Sequence, residues 1–129
     1  MSMLLRSLKN SARAAMVVSL AVLSSIPVRA EDPQVALEVV AVKLKPGADM
    51  DAFRKNDAAV AVLVSKQPGF ISRETGAGPE GEWFVIVHWA SLKDAENAAG
   101  VFMQSEQAKA SMSMIDQNSM LFKHYVVQQ

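Results

Sequence analysis

Between Glu82 and Ala90 the chain alternates with a period of two: Trp83, Val85, Val87 and Trp89 fall on one side, Phe84, Ile86 and His88 on the other. Aromatic and branched residues at that period make a β-strand, the strongest in the sequence, around which any fold must be built. The stretch Gly76-Ala77-Gly78-Pro79-Glu80-Gly81 before it reads as a hairpin loop, joining it to a shorter strand at residues 70–75.

The other elements follow from caps and spacing. A strand at residues 35–44, with Glu38 and Lys43 as its charged members, is closed by Lys45-Pro46-Gly47. Asp49 is placed to cap a helix starting near Met50, with Asp51 favourable in its first turn. Phe53, Val60, Leu63 and Val64 recur at helical spacing until Gln67-Pro68-Gly69 stops that helix. Ser91-Leu92-Lys93-Asp94 has the form of a capping box with Asp in place of Glu, opening a helix that carries Ala95, Ala98, Ala99 and Phe102 on one face. Helical register resumes over residues 105–115 through Ala108, Met112 and Ile115, with room for a break before it. Asp116-Gln117-Asn118-Ser119 is expected as a turn, and residues 120–127 as the last strand.

The order β-α-β-β-α-β predicts an α+β, ferredoxin-like domain: one antiparallel four-stranded sheet with both helices on one face. The opposite sheet face then has no cover within the chain, although some of its positions are apolar. Soluble monomers rarely tolerate such a patch, so a homodimer through stacked sheet faces is expected.

The first thirty residues read as a separate segment. Arg6, Lys9 and Arg13 precede an apolar run from Ala14 to Ile26, Pro27 breaks it, and Val28-Arg29-Ala30 ends on a small residue. This is the order of a secretory signal peptide, with cleavage expected after Ala30. The apolar run of about thirteen residues is shorter than the roughly 20 a spanning helix needs, so no stable membrane span is expected after cleavage. An uncleaved anchor and a transit peptide are the competing readings. Residues 31–129 are the expected mature domain, periplasmic or secreted.

Four of the thirteen basic residues, and none of the thirteen acidic ones, lie in the first thirty. The mature domain is therefore acidic, nine basic residues against thirteen acidic, and has no Lys/Arg cluster, which argues against nucleic acid as a partner. The chain has no cysteine, which excludes disulfides, thiolate metal sites and a thiol nucleophile. Two histidines without a third ligand pattern predict no metal site.

With its elements in this order the chain resembles the dimeric α/β-barrel superfamily, and within it the antibiotic-biosynthesis-monooxygenase-like (ABM-like) domains. The matching features are Lys45-Pro46-Gly47 closing the first strand, Gln67-Pro68-Gly69-Phe70 between helix and second strand, and Trp83-Phe84-Val85-Ile86-Val87-His88-Trp89-Ala90-Ser91 leading into the second helix. The resemblance spans residues 35–127. It implies a pocket between helices and sheet and oxygenation without a cofactor, of aromatic polyketides or quinols, or haem degradation. Trp89 matches the tryptophan that ends the third strand in several such enzymes. Haem-degrading members also use an asparagine in the first strand and a histidine on the second helix. Here the first strand has no Asn, and Ala98-Ala99-Gly100 stand at the histidine's place, so the resemblance does not carry that activity over.

A cofactor-free oxygenation needs a base to deprotonate the substrate, and His88 with Trp89 is the expected catalytic pair. Phe53, Asn56, Trp89, Phe102 and Tyr125 are the expected ligand pocket. Trp89 either stacks on a flat ligand and offers its N–H, or fills core volume. His88 points opposite to Trp89 and is either the base or a hydrogen-bonded structural histidine. His124 and Tyr125, adjacent on the last strand, point to opposite faces. Asn56 lies on the apolar stripe of the first helix and must find a partner or a ligand, with Arg54 and Asp57 nearer solvent. Met103, Met112, Met114 and Met120 either line a soft pocket wall or fill core.

Two functions compete. One is an exported, cofactor-independent monooxygenase acting on a small aromatic or quinone-like compound. The alternative is a non-catalytic module that captures a small hydrophobic molecule, haem included, in the same pocket. A dimeric structural domain with a collapsed pocket is the third reading.

Overall fold

The computed structural model describes residues 34–129, so the expected leader lies outside the described residues. The elements are β1 (Ala36–Leu44), α1 (Met50–Ser65), β2 (Phe70–Ala77), a 3₁₀ turn (Pro79–Gly81), β3 (Glu82–Trp89), α2 (Leu92–Met103), α3 (Glu106–Met114) and β4 (Ile115–Val126). The four strands form one antiparallel sheet in the order β2-β3-β1-β4. This is the ferredoxin-like α+β arrangement, with three helices in place of two. No helix among the described residues is long and apolar enough to cross a membrane.

The caps act as the sequence implies. Asp49 accepts the Asp51 amide at 2.9 Å and starts α1. Ser91 Oγ accepts the Asp94 amide at 3.1 Å, but the short Asp94 carboxylate reaches back only to the Ser91 hydroxyl, at 2.9 Å. Ser105 decides the break between α2 and α3: its hydroxyl donates to the last turn of α2 at Phe102 O (2.6 Å) and accepts the Ala108 amide of α3 (3.0 Å). Gly69, at φ +84°, lets helix hand over to strand where any Cβ would collide with the Asp94 side chain.

The core lies between the sheet and the helices. Trp89 and Val87 are its largest fully buried side chains. Phe53 meets Trp83 edge-on at 5.6 Å, and Phe70 meets Trp89 at 5.8 Å. The other sheet face carries Leu37, Val39, Ala41, Phe84, Ile86, Leu121 and Tyr125, with Phe84, Leu121 and Tyr125 exposed.

Two departures from simple alternation shape everything that follows. In β2, Phe70 pairs with Trp89 and Ser72 with His88, leaving Ile71 as an extra residue. In β4, Ile115 and Asp116 pair with Leu44 and Lys43, but Leu121 already pairs with Ala41, so Asp116-Gln117-Asn118-Ser119 is not the free turn expected before the strand. The residues between Asp116 and Leu121 form a bulge inside β4. The turn chemistry of these residues survives: the Asn118 amide donates to Asp116 Oδ1 at 3.1 Å, and the Ser119 hydroxyl to Asp116 O at 2.6 Å. Ser119 Oγ also takes the Lys43 amide at 2.9 Å, which keeps the bulge stitched to β1.

Candidate functional site

A cavity of about 390 Å³ lies between the helix-facing side of the sheet and the three helices. Its sheet wall is built by alternation: Glu38, Val40 and Val42 from β1, Trp83, Val85, Val87 and Trp89 from β3, Arg73 from β2. Phe53, Asp57, Val60 and Val64 come from one stripe of α1. The small residues Ala98, Ala99 and Gly100 of α2 leave the room that larger side chains would fill. Met103, Met112 and Met120 form an adaptable part of the wall.

One polar row crosses this apolar chamber. Arg73 on β2 pairs with Val87 on β3, Val87 with Glu38 on β1, and Glu38 with His124 on β4. All four side chains share the helix-facing side. His124 Nε2 lies 2.9 Å from Glu38 Oε2. Glu38 is buried, and that desolvation holds its carboxyl above the usual value of 4.5, against the opposing hydrogen bond and charge of His124 and the charge of Arg73. Arg73 grips Asp57 of α1 with two parallel bonds, Nη1 to Oδ2 at 3.0 Å and Nη2 to Oδ1 at 2.6 Å. No group of three or more His, Asp or Glu side chains among the described residues is placed to hold a metal ion.

The indole N–H groups of Trp83 and Trp89 are both buried, and neither has a hydrogen-bond partner among the described residues. Buried donors are nearly always paired, so two on one cavity wall are unusual.

Of the residues expected to form the site, Phe53, Trp89 and Phe102 line the cavity. His88 does not: it faces the other side of the sheet, where its Nδ1 is 3.2 Å from Ser72 Oγ. Its place one residue from Trp89 on an uninterrupted strand forces that direction. Tyr125 likewise pairs with Leu37 on the outer face, because the β4 bulge turns Phe122 and His124 inward instead. Asn56 lies beside the chamber and joins two helices, its Nδ2 donating to Gln107 O at 3.0 Å and Ser111 Oγ at 2.8 Å. Asp57, expected near solvent, takes the cavity-facing place on α1.

Glu38, Arg73, Asp57 and Ser111 on the cavity wall, and His124 against Glu38, are thus the polar residues that the sequence reading missed. Glu38 had a signal: it is the one charged member of the alternating row Ala36, Val40, Val42, Leu44. Arg73 and His124 had none, because bulges set their direction.

No family model matches the sequence, and no curated protein matches it either. Solved structures do. The chain resembles SnoaB, a cofactor-independent oxygenase from Streptomyces nogalater, with TM-score 0.61 and 14% identity over 74% of this chain and 95% of that one. A proposed antibiotic biosynthesis monooxygenase from Bordetella bronchiseptica gives TM-score 0.60 and 15% identity over 74% of this chain and 99% of that one. A further one, from Caulobacter crescentus, gives 0.60 and 15% over 76% and 93%. The described domain is therefore ABM-like in fold. At these identities the likeness extends to the fold alone.

Proposed function

We propose that the chain is an exported, cofactor-independent monooxygenase that oxygenates a small aromatic or quinone-like compound in the helix-facing cavity. The observation that carries this reading is an apolar chamber of about 390 Å³ walled by Trp83 and Trp89, whose buried indole N–H groups have no partner among the described residues. Such a chamber suits a flat ring, and a small turn of either indole would bring its unpaired donor to the ring's carbonyl or hydroxyl oxygen. The ABM-like fold supports the oxygenase chemistry by analogy. Export rests on the leader pattern of residues 1–30. Pairing of two copies through the outer sheet face is supported by exposed Phe84, Leu121 and Tyr125.

The test is dioxygen uptake by the purified protein with a panel of hydroquinones and naphthols. Uptake above blank that falls in Trp83→Phe and Trp89→Phe is expected; no uptake with any member of the panel sinks the oxygenase. The second reading, capture without turnover of a small hydrophobic molecule, haem included, is favoured by His88 facing away from the cavity. Under it the same compounds raise the melting temperature but are recovered unchanged.

A further inference from the structure

We propose that Glu38 is the proton acceptor of the cavity, for an aromatic ligand bearing an ionisable hydroxyl, with His124 positioning its carboxylate and Arg73 facing the oxyanion that results. This rests on the reading that the cavity holds an aromatic ligand, and adds to it the group that reacts with the hydroxyl.

The geometry separates the roles. Glu38 lines the cavity, and His124 engages only its Oε2, which leaves Oε1 for a ligand. His124 touches the carboxylate from β4 and is itself braced edge-on by the Phe122 ring at 5.3 Å. It is a positioning residue. Arg73 also lines the cavity; Asp57 occupies two of its five N–H donors, so three remain for a ligand oxygen. Asp57 offsets the guanidinium charge of Arg73. The charged or titratable groups facing Glu38 are His124 from β4, Arg73 from β2 and Asp57 from α1; β3, α2 and α3 present Val87, both tryptophans, alanines, Gly100, Phe102, methionines and Ser111. A carboxylate in such surroundings is a stronger base than one in water.

The step is a proton transfer with no change of oxidation state. The ligand O–H bond breaks, an O–H bond forms at Glu38 Oε1, and the ligand keeps the electron pair as a phenolate. In the oxygenase this phenolate is the electron-rich species that dioxygen then attacks.

The probe is 4-nitrophenol, whose phenol and phenolate absorb at different wavelengths. The folded wild type is expected to bind it and give a phenolate spectrum at a pH where the free probe is a phenol. Above the probe's own pKa, wild-type affinity falls about tenfold per pH unit, because each bound phenolate brings one proton to Glu38. Glu38→Gln, a near-isosteric change, still binds phenolate but loses that slope. His124→Gln keeps the slope but removes the hydrogen bond and charge that lower the Glu38 pKa. The acid-side loss of affinity, where free Glu38 already holds a proton, therefore moves to higher pH, a displacement that a packing role alone does not produce. Independently of any variant, the infrared difference spectrum of wild type gains a protonated-carboxyl band on binding. A bound probe that keeps its phenol spectrum, or a slope unchanged in Glu38→Gln, overturns the assignment of Glu38 while leaving the aromatic cavity standing. No binding by wild type overturns both.

Discussion

Arg73 of β2 and Asp57 of α1 form a two-pronged ion pair at 3.0 and 2.6 Å, with side chains only 10% and 14% exposed. The pair fastens the edge of the sheet to the first helix and at the same time forms part of the cavity wall. Removing one partner leaves the other charged and buried, so Asp57→Ala is expected to lower unfolding free energy by roughly 3–5 kcal/mol in urea titration. Replacing both, as Asp57→Leu with Arg73→Met, should recover most of that loss. A double variant no more stable than the single one would mean that the pair is held for reasons other than charge compensation.

Glu38 gives the stability a particular dependence on pH. Burial raises its folded-state pKa above the ordinary 4.5, so the native state holds this proton more tightly than the unfolded chain. The stabilisation is complete below about 4.5 and fades as pH rises through the folded value. Glu38→Gln lacks this loss. Its stability relative to wild type should therefore climb across that window and level off above it, measured by urea unfolding at a series of pH values. His124→Gln removes the hydrogen bond and charge that oppose the shift, and should move the window upward.

Asn56 separates stability from binding. Its amide ties α1 to α3 through Gln107 O and Ser111 Oγ; Ser111 lines the cavity, but Asn56 itself does not. Asn56→Ala is expected to cost about 1–3 kcal/mol in thermal or urea unfolding and to leave 4-nitrophenol affinity unchanged. A large loss of affinity without loss of stability would move Asn56 into the site.

Trp83 is set up for the opposite outcome. Its ring packs edge-on against Phe53 at 5.6 Å, but its buried N–H has no partner among the described residues. Trp83→Phe keeps much of the ring contact and removes an unpaired donor. It should cost only the transfer and cavity terms of the lost ring atoms, about 1–3 kcal/mol, while weakening ligands that carry a carbonyl or hydroxyl. Equal affinity for such ligands in wild type and variant would show that the N–H is not used.

The outer sheet face predicts the oligomer. Phe84 and Tyr125 are 41% and 47% exposed there. Wild type is expected to sediment as a dimer, and Phe84→Lys with Tyr125→Lys as a folded monomer. A monomeric wild type would remove the sheet-to-sheet pairing.

Much of the architecture was legible because local chemistry decided it. The unbroken alternation of residues 82–90, the caps at Asp49 and Ser91, and the positive φ of Gly69 that ends the first helix all act within a few residues along the chain. Phe53, Trp89 and Phe102 reach the cavity for the same reason: their periodicity runs without interruption from element start to site. Glu38, the odd charge in an apolar row, was visible in the same way.

What the tertiary structure alone decided is the parity of β2 and β4. The extra residue Ile71 puts Phe70 and Arg73, three apart, on the same face. The bulge between Asp116 and Leu121 does the same for Ile115 and Phe122, so that His124 turns in and Tyr125 turns out. A two-residue period carries direction along a strand only while it is unbroken, and a bulge resets it. Where it resets depends on pairing with β3 and β1, far away in sequence. The chain by itself therefore determined a sheet with an aromatic inner face, and only the pairing of its strands gathered Arg73, Glu38 and His124 into one row.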